Sequence, residues 1–193
     1  MSEQGKQKIV DAANKRFSHY SYGKTTMAEI ATDCAMSVGN LYRFYKNKED
    51  IAVAGTYACL QDKAEMAEAV ASEAESAMQA LTLYFIRRLR HLHCFVSETP
   101  HLHELVELIS ANHMYVIQHF EDRAKVVIEG MLQDGVDSGE FRPMKTKQRA
   151  SDLYHATNRY NMPMCMCLPL EDLESELASL LGLLYEGLKA DSA

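Results

Sequence analysis

One twelve-residue stretch, SVGNLYRFYKNK from Ser37 to Lys48, combines side chains that can contact nucleic acid. Its polar and basic members include Asn40, Tyr42, Arg43, Tyr45 and Lys48. An asparagine can hydrogen-bond a base edge, while tyrosine hydroxyls and basic groups reach phosphate oxygens. Gly39 has no side chain, so the backbone around it can approach a ligand closely despite the cost of glycine inside a helix. The chemistry predicted here is recognition of DNA bases and phosphates.

Two short helices must position these residues. Thr26 is a candidate N-cap, and Glu29 three residues later completes a capping box. Met27, Ile30, Ala31 and Cys34 then form a short apolar face. Ala35-Met36-Ser37 is a tight connection, and Ser37 is the candidate N-cap of the second helix. This spacing indicates a helix-turn-helix, whose second helix enters the major groove. The alternative is a purely structural helical hairpin, since many hairpins share the spacing.

The distribution of charge favours the DNA interpretation. The chain has 193 residues and a formal net charge of −7, which argues against indiscriminate binding of polyanions. Residues 1–50, however, hold eight Lys or Arg and six Asp or Glu, a net charge of +2. The remainder holds 12 basic and 21 acidic residues, a net charge of −9. The acidity therefore lies outside the proposed DNA-reading segment, as expected for two segments with different partners.

The motifs TMAEIA (26–31) and AMSVGNLYRFYKNKEDI (35–51) resemble the N-terminal domain of the TetR family of bacterial regulators. That family has roughly T-x-x-x-I-A followed by G-V-S-x-G-T-L-Y-x-Y-F-x-S-K-E-x-L. The resemblance spans about residues 6–55. It implies phosphate contacts by Thr26, Tyr42 and Lys48, and base contacts by Val38, Asn40 and Arg43. This chain departs from the pattern at three places. Ala35-Met36 replaces the usual Gly-Val, which we interpret as a packing change, and Asn40 replaces Thr. Phe44-Tyr45 inverts the usual Tyr-Phe, which leaves open which of the two rings contacts phosphate.

The whole chain is predicted to be all-α, with a helix-turn-helix domain at 1–50 and an effector-binding and dimerisation domain at 51–193. Apolar residues at helical spacing predict helices over 6–19, 74–97, 100–109, 111–134 and 147–160, and another from residue 170. The resemblance implies a homodimer on a palindromic operator, with the helices at 147–160 and 170–189 forming the dimer contact. One short helix reads few base pairs, so two half-sites are needed for useful specificity.

The effector is expected to be a small, fairly apolar organic molecule that releases a repressor from DNA. The helices at 74–97 and 111–134 are the predicted pocket walls. Their candidate ligand-binding residues are Phe85, Leu89, His113, Met114, Ile117 and Glu121. Glu121 lies in an apolar stripe, where a carboxylate is costly unless it is paired. Its alternative role is a solvated or Lys125-paired residue at the edge of that stripe.

Other functions have weaker support. Seven of the eight histidines lie between residues 91 and 155, and Cys165 and Cys167 alternate with Met164 and Met166, which keeps open a metal, haem or thiol-redox sensor. We expect no cofactor or metal and no enzymatic activity, because no Gly-rich phosphate loop, nucleophile elbow or metalloprotease motif is present. The polar N-terminus and the absence of a long apolar run predict a cytoplasmic protein without a membrane partner.

Overall fold

The computed structural model describes residues 2–190, and it is all-α. The α-helices are α1 (Glu3–Tyr20), α2 (Met27–Asp33), α3 (Val38–Phe44), α4 (Lys48–Ala71), α5 (Ala77–Glu98), α6 (Leu102–Asn112), α7 (Met114–Asp137), α8 (Thr146–Ala156) and α9 (Leu170–Glu186). Two 3₁₀ turns, Asn158–Asn161 and Pro163–Cys165, lie between α8 and α9. Within the described residues, the β-structure is an isolated bridge between Phe141 and Lys189.

The chain divides into two compact units. The first contains the residues up to 61 together with 96–118, and the second contains 62–95 together with the chain from 119 onward. The first unit thus adds α6 to the helix-turn-helix segment. The sequence-based boundary after residue 50 remains a prediction.

The core of the first unit is formed by the apolar faces of α1, α2, α3 and the start of α4. Its fully buried members include Ile9, Ala13, Phe17, Ile30, Leu41 and Ile51. The apolar residues that the sequence places at helical spacing in α1 and α2 therefore form the buried faces of these helices. Leu41 is the buried anchor of α3, so the rest of that short helix is left at the surface.

The turn between α2 and α3 is a Schellman motif. The Met36 N–H donates to the Ala31 carbonyl at 3.0 Å, and the Ala35 N–H donates to the Thr32 carbonyl at 2.9 Å. Ala35 has a φ of 53°, in the left-handed region where glycine is preferred. The replacement of the family's glycine by Ala35 is therefore also a change in backbone strain, whereas Met36, which replaces the valine, packs against the core of the first unit.

The second unit has its core along α5, α7, α8 and α9. Fully buried side chains include Leu81, Leu89, Ile128, Leu132, Leu173 and Leu177. The loop after α7 is anchored by Phe141, which is buried, and by a hydrogen bond from the Arg142 N–H to the Leu188 carbonyl at 3.0 Å. Lys63 and Arg88 are also buried in this unit.

Several helices start two or three residues away from the predicted positions. Helix α5 begins at Ala77, after Ser76, whose side chain accepts a hydrogen bond from the Gln79 N–H at 3.2 Å. The Glu140 carboxylate, from a residue more than 60 positions away, accepts two further hydrogen bonds at this helix start, from the N–H groups of Ala77 (2.8 Å) and Met78 (3.1 Å). Helix α6 begins at Leu102, after a turn that contains Pro100, two residues later than the predicted start.

Candidate nucleic-acid interface

The two short helices of the proposed DNA-reading segment are both capped as the sequence predicts. Thr26 and Glu29 form a complete capping box at the start of α2. The Ser37 side chain accepts a hydrogen bond from the Asn40 N–H at 3.2 Å at the start of α3. These caps satisfy N–H groups that a helix start leaves without partners, and they define where each helix begins.

The outward face of α3 is polar and accessible. Val38 is 37% exposed and Tyr42 is 51% exposed, and the side chains of Asn40 and Arg43 are also exposed. A Cβ atom added at Gly39 would meet no other atom within 4 Å. Packing inside the described protein therefore gives no reason for glycine at this position, which agrees with a close approach by an external ligand.

Lys48, the first residue of α4, contacts the loop before Thr26. Its Nζ donates to the carbonyls of Tyr22 (2.6 Å) and Thr25 (2.8 Å) and lies 4.2 Å from the centre of the Tyr22 ring. Partial burial lowers the pKa of Lys48 below its usual value. Since an ammonium group has three N–H donors, the lysine can hold the loop before Thr26 and still offer one donor to a phosphate.

The two remaining aromatic residues of the segment are less accessible. Phe44 and Tyr45 are half-buried and pack against the core of the first unit. Burial raises the pKa of the Tyr45 phenol above its usual value. Of the tyrosines in and next to α3, Tyr42 is thus the one with the more accessible hydroxyl, and the phosphate role of Tyr45 stays a prediction.

The end of α5 and helix α6 supply contacts that the sequence did not reveal. The Glu104 carboxylate accepts a hydrogen bond from the Gly23 N–H at 2.7 Å, in the loop that Lys48 also holds. The Ser18 hydroxyl donates to the Glu98 carbonyl at 2.9 Å. The partners are about 80 residues apart in the sequence, so no local pattern could have indicated them.

The six predicted effector residues are divided between the two units. His113, Met114 and Ile117 belong to the first unit, where His113 Nε2 lies 2.7 Å from Glu49 Oε1. Phe85, Leu89 and Glu121 belong to the second unit, where Glu121 forms an ion pair with Lys125 at 2.9 Å. The Lys125 pairing expected as the alternative for Glu121 is present, and the ligand-binding role of Glu121 stays a prediction. Neither unit alone contains the whole predicted pocket.

The histidine, cysteine and methionine residues form no evident metal centre. Among residues 2–190, no three His, Cys, Asp or Glu side chains come together in a group that could hold a metal ion. In the Cys165–Cys167 segment, Met166 is buried while Met164 is 81% exposed. No helix in the same part of the chain is long and apolar enough to cross a membrane.

Comparison with known proteins gives consistent matches. The family model described as "Bacterial regulatory proteins, tetR family" matches residues 9–54. The model described as "Tetracyclin repressor-like, C-terminal domain" matches residues 77–180. The uncharacterized HTH-type transcriptional regulator YhgD of Bacillus subtilis (strain 168) is 27% identical over 147 residues, which cover 74% of this chain and 75% of that protein.

Solved structures share the fold. A putative TetR-family transcriptional regulator from Mesorhizobium loti MAFF303099 superimposes with a TM-score of 0.78 at 17% identity, covering 98% of this chain and 100% of that one. The transcriptional regulator FadR from Bacillus subtilis, in complex with stearoyl-CoA, superimposes with a TM-score of 0.66 at 19% identity, covering 94% and 98%. With the capped helix pair and the two matching family models, the chain belongs to the TetR family of bacterial transcriptional regulators.

Proposed function

We propose that this protein is a sequence-specific transcriptional repressor that a small, fairly apolar organic effector releases from its operator. The observation that carries the DNA-binding part is the outward face of α3, where exposed polar side chains surround Gly39. Leu41 holds the opposite side of the helix in the core. The effector part rests on membership of a family of ligand-responsive regulators.

A homodimer on a palindromic operator is part of the proposal. One copy of α3 has seven residues and can read only a few base pairs. Helix α9 buries Leu173, Leu177 and Leu181 in its own unit, but Leu183 is 73% exposed. A large exposed leucine beside a buried stripe supports a second apolar contact. We assign that contact to α8 and α9 of a second copy.

Release is proposed to occur by a shift between two conformations. The effector favours a conformation of the dimer in which the two reading helices no longer match the half-site spacing. Within the first unit, α6 contacts the loop before Thr26 through Glu104. A displacement of α6 therefore acts directly on the segment that positions α2 and α3.

Replacing Gly39 by alanine tests the DNA interface. Alanine is favoured over glycine inside a helix by about 1 kcal/mol, and nothing in the described protein obstructs the added methyl group. We expect Gly39→Ala to be at least as stable as the wild type and to bind DNA at least tenfold more weakly, because the methyl group holds α3 away from the groove. The measurement is fluorescence anisotropy with a fragment identified by footprinting the purified protein on genomic DNA.

Gly130→Ala is the matched control. Gly130 lies within α7, and an added Cβ there also meets nothing within 4 Å. This variant should gain similar helix stability and keep the affinity of the wild type. Unchanged DNA binding by Gly39→Ala would contradict the assigned interface, and failure of the wild type to select any DNA would contradict the proposed function itself.

A further inference from the structure

The second unit holds several basic side chains that are buried or half-buried. Lys63 on α4 and Arg88 on α5 are each only 7% exposed. Arg87 Nε and His91 Nδ1, also on α5, are buried and have no hydrogen-bond partner among the described residues. Burying cationic groups costs free energy unless an anion or a full set of hydrogen bonds compensates. Basic groups buried in this way need a physical explanation.

Arg88 is the central residue among these side chains. Its Nη1 donates to the Tyr84 hydroxyl at 2.7 Å, and its guanidinium carbon lies 5.2 and 5.6 Å from the ring centres of Tyr84 and Tyr154. No carboxylate among residues 2–190 forms an ion pair with it. Two other cations of this unit do have such partners, since Arg123 pairs with Glu68 and Lys125 with Glu121.

A small cavity opens beside Arg88. It has a volume of about 10 Å³, and its lining includes Phe85, Arg88, Tyr154, Tyr160, Asn161 and Leu177. The Asn161 Oδ1 also accepts a hydrogen bond from Lys63 Nζ at 2.9 Å. Asn161 therefore connects the second buried cation to the cavity. The lining thus combines a cation and a polar amide with aromatic and aliphatic side chains.

The pKa of His91 is affected by the charged groups of this region. Burial, together with the nearby Lys63 and Arg87, lowers the pKa of His91 below its usual value, and Asp62 opposes this only in part. An anion bound nearby would raise the pKa of His91 again.

We propose that this cavity is the head-group end of the effector site and that it binds an organic anion. The head group is a carboxylate or a phosphate, which Arg88 can hold with two parallel N–H donors. The tail is aromatic or aliphatic and packs against Phe85, Tyr160 and Leu177. This inference rests on the proposed function, because it names the chemical class of the effector.

Binding requires the cavity to enlarge, since its present volume holds the centre of about one water molecule. Tyr160 and Asn161 belong to the 3₁₀ turn Asn158–Asn161, which is followed by a second short turn. Hydrogen bonds in 3₁₀ turns have poorer geometry than those in α-helices. Displacing these turns therefore requires less free energy than displacing α5 or α9. The anion enters by displacing these turns.

Thermal unfolding with matched ligands tests the proposal. The probes are decanoate, 4-phenylbutanoate and decyl phosphate, each compared with the neutral decanamide or 4-phenylbutanamide and with inorganic phosphate at equal ionic strength. At a hundredfold excess over Kd, we expect an organic anion to raise Tm by about 5–10 °C. The amides and inorganic phosphate should give no comparable shift. The same anion should weaken operator binding at least fivefold, and comparison of the carboxylate and phosphate arms identifies the head group.

Variants of two arginines on the same helix complete the experiment. Arg88→Met removes the buried cation and should reduce the anion response at least tenfold. Arg88→Lys keeps the charge and should retain part of the response. Arg90→Met is the matched control, because Arg90 is exposed and pairs with Glu174, and this variant should respond like the wild type.

The proposal is overturned if no organic anion of the set raises Tm, if anions and amides act alike, or if Arg88→Met responds fully. A wild-type protein that binds its operator but shows one of these results refutes the anion site alone. Absence of operator binding without any ligand refutes the proposed function instead. In the expected case, the NMR-monitored pKa of His91 rises in the presence of the anion.

Discussion

Replacing Ala35 by glycine should stabilise the protein, although it removes a methyl group and increases the freedom of the unfolded chain. Ala35 occupies the left-handed position of the turn between α2 and α3, with a φ of 53°. Its side chain is exposed, so the substitution removes little packing. The hydrogen bonds from Ala35 to Thr32 and from Met36 to Ala31 are backbone bonds that glycine can also make.

The expected magnitude follows from two opposing terms. The left-handed conformation destabilises the folded state by about 1–2 kcal/mol for a residue that has a Cβ atom. Glycine costs about 0.4–1 kcal/mol through the greater entropy of the unfolded chain. The net stabilisation by Ala35→Gly is therefore about 0.5–1 kcal/mol. In a chain of this size, that corresponds to a rise in Tm of about 1–4 °C.

The assay is thermal unfolding followed by circular dichroism, at equal protein concentrations because dimerisation affects Tm. The control is Ala28→Gly in helix α2, where Ala28 is exposed in ordinary right-handed backbone. There the same substitution should lower stability by about 0.5–1 kcal/mol. The reasoning fails if both variants lower Tm, because strain at Ala35 would then be too small to matter.

Two further predictions concern stability. Glu140→Ala should lower Tm by about 2–4 °C in thermal unfolding, since it leaves the Ala77 and Met78 N–H groups at the start of α5 without acceptors. Glu140→Gln should recover part of the loss, and an unchanged Tm for Glu140→Ala would contradict the role of this carboxylate. Hydrogen bonds from Arg16 hold the pKa of Asp33 below its usual 3.8. The pair therefore contributes to the free energy of unfolding at pH values above 3.8, and this contribution is lost as the pH falls through the lowered pKa of Asp33. Arg16→Met should therefore move the acid-unfolding midpoint to higher pH, as followed by circular dichroism, and a midpoint at the same or lower pH would contradict this.

The sequence predicted the short capped helices because their stabilising contacts are local. The side chains of Thr26 and Ser37 each bond a backbone N–H three residues ahead. Such caps depend on residue type and spacing alone, so they can be read without knowing the fold. The apolar faces of α1, α2 and α3 were readable for the same reason, since helical periodicity is a property of neighbouring residues.

Of the predicted effector residues, Phe85 lines the proposed effector cavity, but the sequence did not indicate the buried cation beside it. His113 and Glu121 were assigned to one pocket because they lie on one predicted helix, but helix α7 runs through both compact units and each residue has a partner in its own unit. No local sequence pattern indicates that Arg88 is buried, because an arginine inside a helix is normally exposed. Its burial depends on Tyr154 and the residues around the 3₁₀ turns, which come from distant parts of the chain.

The sequence by itself determined the family, the all-α class and the position of the proposed DNA-reading helix. Each of these depends on interactions between residues a few positions apart, or on motifs that recur in register. Only the tertiary structure decided that Glu140 accepts hydrogen bonds at the start of α5, that Glu104 on α6 holds the loop before Thr26, and that Arg88 is buried beside a cavity. These features join residues about 60 to 80 positions apart, and such contacts exist only once the chain has folded.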